Sequence, residues 1–206
     1  RAYRRGRDVL KAVDLTVDPG EVIGLLGQNG AGKTTLLRVA MGMLEAQRGE
    51  VRVIGRDPRR EPVAVKQRVG YVSEEQVLPG FLTVQAVIDL RRRLYPGWDD
   101  DLAATLASRF RMDPTARIRS LSKGEARQVA LLCAVAHRPP LLLLDEPAGG
   151  LDPAARREFL ETAIELLAES GSTIVFSSHH MTDVERMASR LVMLHDGVKW
   201  IDSALD

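Results

Sequence analysis

Closely spaced glycines lead into Lys-Thr-Thr in the stretch GQNGAGKTT, residues 27–35. The spacing, a glycine, four residues and then Gly-Lys-Thr, is typical of a phosphate-binding loop. Glycines let the backbone turn tightly and aim N–H groups at an anion, and the next helix presents its positive N-terminus. Lys33 would reach the outer phosphates of a nucleotide, and the hydroxyl of Thr34 would ligate Mg²⁺. A glycine turn without a ligand is the alternative, but an apolar run before the stretch and a helix pattern after it favour phosphate binding.

A pair of carboxylates, Asp145 and Glu146, ends a second apolar run, LLLLDEP. In phosphate-loop enzymes an aspartate at the end of a neighbouring strand holds Mg²⁺, and Asp145 fits that role. Glu146 would then accept a proton from the water that attacks the γ-phosphate. Two histidines, His179 and His180, follow the next apolar run, where open α/β sheets bind their ligands. By themselves, the two carboxylates are equally compatible with solvated surface, and a lone histidine at such a position is more often a solvated surface residue.

The segment LSKGE, residues 121–125, precedes a long helical pattern. Ser122 followed three residues later by Glu125 is a capping box, in which each side chain accepts a hydrogen bond from the other residue's backbone. Locally, the pattern predicts a helix start and nothing more.

Strand-like and helical patterns alternate along the chain around these motifs. Apolar runs predict strands at residues 21–27, 50–55, 68–73, 141–145 and 173–178. Helical patterns lie at residues 33–43 and 154–169. Continuous apolar runs are typical of central parallel strands that are covered on both faces. Asp196-Gly197 between two apolar runs predicts a hairpin, and the whole arrangement predicts an α/β fold with a mostly parallel sheet.

The middle of the chain, from about residue 83 to residue 136, has no convincing strand pattern. Helices are predicted there at residues 83–95, 99–110 and 122–136. We therefore expect a single domain over residues 1–206. Its α/β core would comprise residues 1–74 and 137–206, and its helical subdomain about 75–136.

Composition excludes several classes of protein. Hydrophobic residues make up 45% of the chain and charged residues 28%, as in ordinary globular proteins. The 29 basic residues nearly balance the 28 acidic ones, which gives no support to nucleic-acid binding. Cys133 is the single cysteine, so an intrachain disulfide and a cysteine-based zinc site are excluded. No apolar run approaches the roughly 18 residues that a membrane-spanning helix needs.

Six motifs follow one another in a fixed order: GQNGAGKTT, YVSEE, LSKGEARQ, LLLLDEP, GGLDP and SSHHM. Together they resemble the nucleotide-binding domain of the ATP-binding cassette (ABC) family, with details similar to bacterial exporters that have a stand-alone ATPase subunit. The likeness covers essentially the whole chain. It implies a phosphate-loop NTPase core, an N-terminal antiparallel β portion and an inserted helical subdomain. It also implies a Mg²⁺-dependent ATPase.

The resemblance assigns roles to individual residues. Tyr3 matches the aromatic residue that stacks on adenine, with a solvated tyrosine as the alternative. Asp145 matches the Mg²⁺ partner, Glu146 the general base and His179 the histidine that contacts the γ-phosphate. His180 would be a surface residue. The loop residues implied to bind the nucleotide are Gly27, Asn29, Gly30, Ala31, Gly32, Lys33, Thr34 and Thr35.

Other residues match family segments that act between the two subunits of a dimer. The resemblance implies that two such domains enclose two ATP molecules and drive separate membrane subunits. Ser122, Gly124 and Glu125 match the signature segment, which contacts the ATP of the partner subunit. Leu151 and Asp152 match the loop that communicates across the dimer.

Two positions depart from the family pattern. Glu74 stands where the family usually has a glutamine that touches Mg²⁺ and the attacking water. We expect Glu74 to ligate Mg²⁺ directly, with Gln76 filling the role as the alternative. Lys123 replaces the usual first glycine of the signature, and Glu125 replaces its glutamine. Lys123 would either add positive charge near the phosphate or point to solvent.

The predicted partners are a second ABC ATPase domain, in a homodimer or heterodimer, and integral membrane permease subunits, without nucleic acid. The chain would then work at the cytoplasmic face of the cell membrane. A soluble ABC-type ATPase of DNA repair, chromosome organisation or translation is the alternative, although no coiled-coil insertion, zinc module or second cassette is visible. A small-molecule kinase would leave LSKGE and GGLDP unexplained.

Overall fold

The computed structural model describes residues 8–74, 78–147, 149, 151, 153–168 and 171–205. The strands are β1 Val22–Leu26, β2 Val69–Val72, β3 Leu141–Leu144, β4 Thr173–Ser178, β5 Arg190–His195 and β6 Val198–Ala204. The helices are α1 Lys33–Ala40, α2 Pro62–Lys66, α3 Val84–Leu94, α4 Asp100–Arg109, α5 Lys123–Val135, α6 Pro153–Ala168 and α7 Met181–Met187. A short 3₁₀ helix spans Ile118–Ser120.

All six strands form one sheet in the order β2-β3-β4-β1-β5-β6. Every neighbouring pair is parallel except β5 and β6, which form an antiparallel hairpin. Asp196 and Gly197 make its turn, both with positive φ, as the sequence predicted. This sheet confirms the predicted α/β fold. Because β1, β3 and β4 are parallel neighbours, the residues that follow them meet at one edge.

The sheet is covered on both faces. Leu142 and Leu144 of β3 pack in a cluster with residues of α3, α4, α5 and α6. Leu143 of the same strand packs on the other face, with Leu37 of α1 and Val65 of α2. Alternate residues of a continuous apolar strand thus enter two different cores, which explains why β3 lacks polar positions.

Helix α5 lies unusually close to the sheet. A side chain at Gly70 in β2 would collide with the carbonyl oxygen of Ala134 in α5. Glycine therefore permits the close approach of helix and strand. This contact places the start of α5 near the loops that follow β2 and β3.

The helices between β2 and β3 match the predicted ones within one or two residues. Asp99 is the N-cap of α4, and its side chain accepts a hydrogen bond of 2.8 Å from the N–H of Leu102. Thr83 caps α3 through a bond from the N–H of Ala86. Among the described residues of this segment, no strand is present, as expected. Their grouping as a separate subdomain stays a prediction.

The prediction of a strand at residues 50–55 is wrong. Val53 and Arg56 exchange two backbone hydrogen bonds of 2.8 and 3.0 Å around Ile54 and Gly55. Both central residues have positive φ, which is the geometry of a tight hairpin turn. The chain therefore reverses where an extended strand was expected. Within residues 8–74, antiparallel pairing is limited to this bridge, so the antiparallel part of the sheet lies at β5–β6 rather than in the N-terminal portion.

No helix in the described part of the chain is both long and apolar enough to span a lipid bilayer.

Candidate active site

The predicted phosphate loop connects β1 to α1. Gly30 and Gly32 have φ values of 88° and 108°, a region in which side chains cause strain. Gly32 is also the N-cap of α1, and no side chain caps this helix. The first N–H groups of a helix have no partner within it. The start of α1 thus keeps the donors and the positive dipole that an anion needs.

Lys33 is buried within this loop, with 5% of its surface exposed. Its Nζ donates a hydrogen bond of 2.5 Å to the carbonyl oxygen of Gly27. The same nitrogen lies 3.2 Å from Oε1 of Glu146, which follows β3. The ammonium group is therefore held inside the loop, where the sequence predicted phosphate contacts.

Asp145 is fully buried next to the loop. Its Oδ1 accepts hydrogen bonds from the hydroxyls of Thr34, at 2.9 Å, and Ser177, at 3.0 Å. Oδ2 has no hydrogen-bond partner among the described residues. Burial raises the pKa of Asp145, while the bonds from Thr34 and Ser177 oppose this shift. A hydroxyl and a free carboxylate oxygen side by side are hard oxygen ligands, so these residues fit Mg²⁺.

Glu146 lies between two other predicted residues. Its Oε1 faces Lys33, and its Oε2 lies 2.9 Å from Nδ1 of His179, which follows β4. Its φ is 44°, a conformation that costs free energy for a residue with a side chain. The backbone N–H of Glu146 donates a bond of 2.8 Å to Oγ of Ser177, which helps to hold this conformation. Sequence positions 33, 146 and 179 thus meet at one point.

Two residues at this edge were missed by the sequence analysis. The hydroxyl of Ser177 bonds both to Asp145 and to the backbone N–H of Glu146. Its place in SSHH, directly before the predicted histidines, was the sequence feature that could have identified it. Tyr71 of β2 lies close to Asp145. Burial and the negative charge of Asp145 raise the pKa of Tyr71 to about 12, so its hydroxyl stays protonated.

The capping box at the start of α5 is confirmed. Oγ of Ser122 accepts a bond of 3.3 Å from the N–H of Glu125, and Oε2 of Glu125 accepts one of 2.7 Å from the N–H of Ser122. These bonds lower the pKa of Glu125. Ser122 and Lys123 are exposed. A Cβ at Gly124 would lie 3.5 Å from the side chain of Leu151, so the signature segment and the loop after β3 are in contact.

Comparison with known proteins decides the family. The family described as ABC transporter matches residues 10–149, more than half of the chain. This chain belongs to the ABC transporter family. It is 37% identical over 191 residues to the ABC transporter ATP-binding protein YtrB of Bacillus subtilis. That match covers 93% of this chain and 65% of YtrB, so the chain spans about two thirds of the length of this relative.

Solved structures of ABC proteins have the same fold. The ATP-binding subunit of an ABC transporter is 31% identical, with a TM-score of 0.89 over 99% of this chain and 86% of that one. A bacterial ABC transporter cassette, solved as a dimer, is 25% identical with a TM-score of 0.85 over 99% and 95% of the two chains.

One described residue that was predicted for the site, Glu74, makes no described hydrogen bond or ion pair with Lys33, Glu146 or His179. The side chain of Glu74 is exposed, and its carbonyl oxygen accepts a bond of 3.4 Å from Nη2 of Arg127. Tyr3, Gln76 and Asp152 lie outside the described residues. A single copy of this ABC chain thus brings Lys33 together with Glu146 and His179. The hydrogen bonds described for its signature segment are the local ones of the capping box.

Proposed function

We propose that this chain is the ATP-hydrolysing subunit of an ABC transporter. One observation carries the proposal: Glu146 lies between Lys33 and His179, beside the Thr34–Asp145 pair. A lysine in a phosphate loop, a carboxylate pair and a histidine are the groups that phosphoryl transfer to water requires. Residues 27–35 bind the phosphates in this proposal, and Tyr3 stacks on the adenine ring.

Hydrolysis would proceed by attack of water on the γ-phosphorus of ATP. The new bond joins the water oxygen to phosphorus, the bond to the β-phosphate oxygen breaks, and ADP and phosphate leave. Glu146 takes the proton of the attacking water. His179 contacts Glu146 at 2.9 Å and keeps its carboxylate oriented, and it then contacts the γ-phosphate. Lys33 offsets the negative charge of the transferred group.

Thr34 and Asp145 would hold Mg²⁺, with Glu74 as a further ligand. The fit rests on the free Oδ2 of Asp145 and the adjacent hydroxyl of Thr34. A Mg²⁺ ion held by these residues would supply positive charge to the phosphates during hydrolysis. Gln76 remains the alternative to Glu74.

A second ABC domain would complete the site. The dimeric cassette of similar fold supports this pairing. Ser122, Gly124 and Glu125 at the start of α5 would contact the partner's ATP, with Leu151 and Asp152 carrying the communication between subunits. In this proposal, residues 1–74 and 137–206 form the core and about 75–136 form the helical subdomain.

Membrane permease subunits are the proposed second partner, which places the chain at the cytoplasmic face of the membrane. The name of YtrB, an ABC transporter ATP-binding protein, favours transport over a role in DNA repair or translation. The substrate would be selected mainly by those membrane subunits.

The direct test combines hydrolysis and binding. We expect the purified chain to release phosphate from ATP with Mg²⁺, and Lys33→Ala to bind ATP much more weakly in a nucleotide titration. Lys199→Ala, on β6 and paired there with Asp202, serves as the control for loss of a lysine. Unchanged ATP affinity in Lys33→Ala would contradict the phosphate-loop assignment. Recovery of a multi-span protein in a pull-down from membranes of the source cell tests the transport part.

A further inference from the structure

The guanidinium group of Arg127 is buried near the proposed active site. Arg127 lies in the second turn of α5, with 7% of its surface exposed. Its Nη2 donates to the carbonyl oxygen of Glu74 at 3.4 Å, and its Nη1 has no hydrogen-bond partner among the described residues. A buried cation is costly unless nearby groups compensate its charge, so its surroundings need an explanation.

Three segments meet at this guanidinium. Glu74 follows β2, and Glu146 and Gly149 follow β3. A Cβ at Gly149 would lie 3.8 Å from Nη2 of Arg127, so the group packs against the backbone of that loop. The third segment is α5 itself, which begins at Ser122. Arg127 therefore contacts both loops whose carboxylates are proposed to act on the chain's own ATP. It lies on α5, the helix whose start is proposed to contact the partner's ATP.

Two carboxylates, those of Glu74 and Glu146, interact with the charge of Arg127. Burial lowers the pKa of Arg127, and the negative charges of Glu74 and Glu146 oppose that shift. An arginine remains protonated in spite of such a shift. The guanidinium thus supplies one positive charge that interacts with Glu74 and Glu146.

We propose that Arg127 is a positioning residue for ATP hydrolysis. Its guanidinium holds the loops after β2 and β3 against α5, and its charge compensates Glu74 and Glu146. The proposal rests on the proposed ATPase function. Loss of the guanidinium would leave the carbonyl of Glu74 without this donor and would remove a buried positive charge from the neighbourhood of both carboxylates. Glu146 would then shift relative to the attacking water, while the phosphate loop, to which Arg127 donates no described hydrogen bond, would still bind ATP.

Steady-state kinetics of Arg127→Gln separate positioning from folding. We expect kcat to fall on the order of 10- to 100-fold, as for a misplaced catalytic group, with KM for ATP changed by less than about 3-fold. The Mg²⁺ concentration for half-maximal activity should rise, because Glu74 loses its anchor. Arg127→Lys keeps the charge without the planar fork and should recover part of kcat.

Arg109→Gln is the matched control. Arg109 lies on α4 and pairs with Glu165 at an exposed position, so its loss should leave kcat and the Mg²⁺ dependence unchanged. A wild-type kcat in folded Arg127→Gln overturns the proposal. So does a kcat that falls only in proportion to the folded fraction, measured by circular dichroism.

A double variant tests the charge compensation. Adding Glu74→Gln to Arg127→Gln removes one uncompensated carboxylate, so the loss of kcat in the double variant should be smaller than the product of the losses in the two single variants. Strictly additive losses would refute the coupling between the two side chains. The wild-type rate in the same assay reports on the proposed function. An active wild type with an equally active Arg127→Gln variant refutes the role of Arg127 alone, and an inactive wild type refutes the ATPase on which it rests.

Discussion

Nζ of Lys33 lies 3.2 Å from Oε1 of Glu146. The proposed phosphate-binding cation and the proposed general base are therefore an ion pair, buried at 5% and 8% side-chain exposure. Phosphate oxygens of ATP would compete with Glu146 for Lys33. Transfer of Lys33 to the phosphates would leave Glu146 with His179 and free one carboxylate oxygen for water. In the proposed function, nucleotide binding and activation of the base would thus be linked through one side chain.

Glu146→Gln tests the base directly. The amide keeps the shape of the side chain but cannot accept the proton of water, so we expect phosphate release to slow at least about 100-fold. ATP binding should persist, because Lys33 and the loop are intact. Phosphate release and nucleotide titration measure the two effects. Glu161→Gln, an exposed change on α6, is the control, and near-normal turnover in Glu146→Gln would remove Glu146 from this role.

Ser177→Ala tests the residue that contacts both carboxylates. The change leaves the N–H of Glu146 without its acceptor and Asp145 without one donor. Since a buried unsatisfied group is costly, the free energy of unfolding should fall by about 1–3 kcal/mol. kcat should fall by on the order of 10-fold, because the left-handed conformation of Glu146 loses its support.

Urea unfolding and ATPase rates measure these two effects. Ser203→Ala removes an exposed hydroxyl on β6 and should change neither quantity. Wild-type stability and kcat in Ser177→Ala would show that Ser177 does not hold Glu146.

Ser122→Arg tests the role of the signature segment in the dimer. A large cation at the exposed start of α5 should block the partner's ATP and abolish hydrolysis, while each chain still binds ATP. Loss of the N-cap would by itself cost about 1 kcal/mol of stability. Ser122→Thr keeps a capping hydroxyl and should keep hydrolysis, which separates the two effects. Normal hydrolysis by Ser122→Arg would mean that the segment is a helix cap alone.

His137 predicts a pH dependence of stability. Its ring is buried against Tyr95, with centroids 4.4 Å apart, and neither ring nitrogen has a hydrogen-bond partner in the described segments. Burial, with the charge of Arg91, lowers the pKa of His137 to about 4 from 6.5. The neutral ring is therefore favoured by folding. Its contribution to stability is present above pH 6.5 and is lost as the pH falls from 6.5 through about 4.

His137→Phe removes this titration and keeps an aromatic ring against Tyr95. Between pH 7 and 4.5, the wild type should lose about 2 kcal/mol of unfolding free energy relative to His137→Phe. Urea unfolding at both pH values measures the difference. His195→Phe, at an exposed position, should show no such difference. Equal pH dependence of wild type and His137→Phe would contradict a buried neutral imidazole.

Local sequence patterns were sufficient to predict most of the strands and helices. The apolar runs of β1, β3 and β4 and the helices capped by Thr83 and Asp99 follow from short-range physics, namely periodicity and hydrogen bonds over three residues. The run at residues 50–55 shows the limit of that reasoning. Its apolar residues suit a strand, but Ile54 and Gly55 adopt positive φ and reverse the chain.

The sequence by itself determined the family, and it predicted the phosphate loop with Lys33 and Thr34 and the carboxylate pair Asp145 and Glu146, because each of these is a local pattern of residue types. The tertiary structure alone decided that Glu146 contacts Lys33 and His179, and that Ser177 holds both carboxylates. It also buried the guanidinium of Arg127 between two loops. These contacts join residues up to 113 positions apart, from Lys33 to Glu146. They depend on the strand order β3-β4-β1 and on the close packing of α5, which no local periodicity specifies.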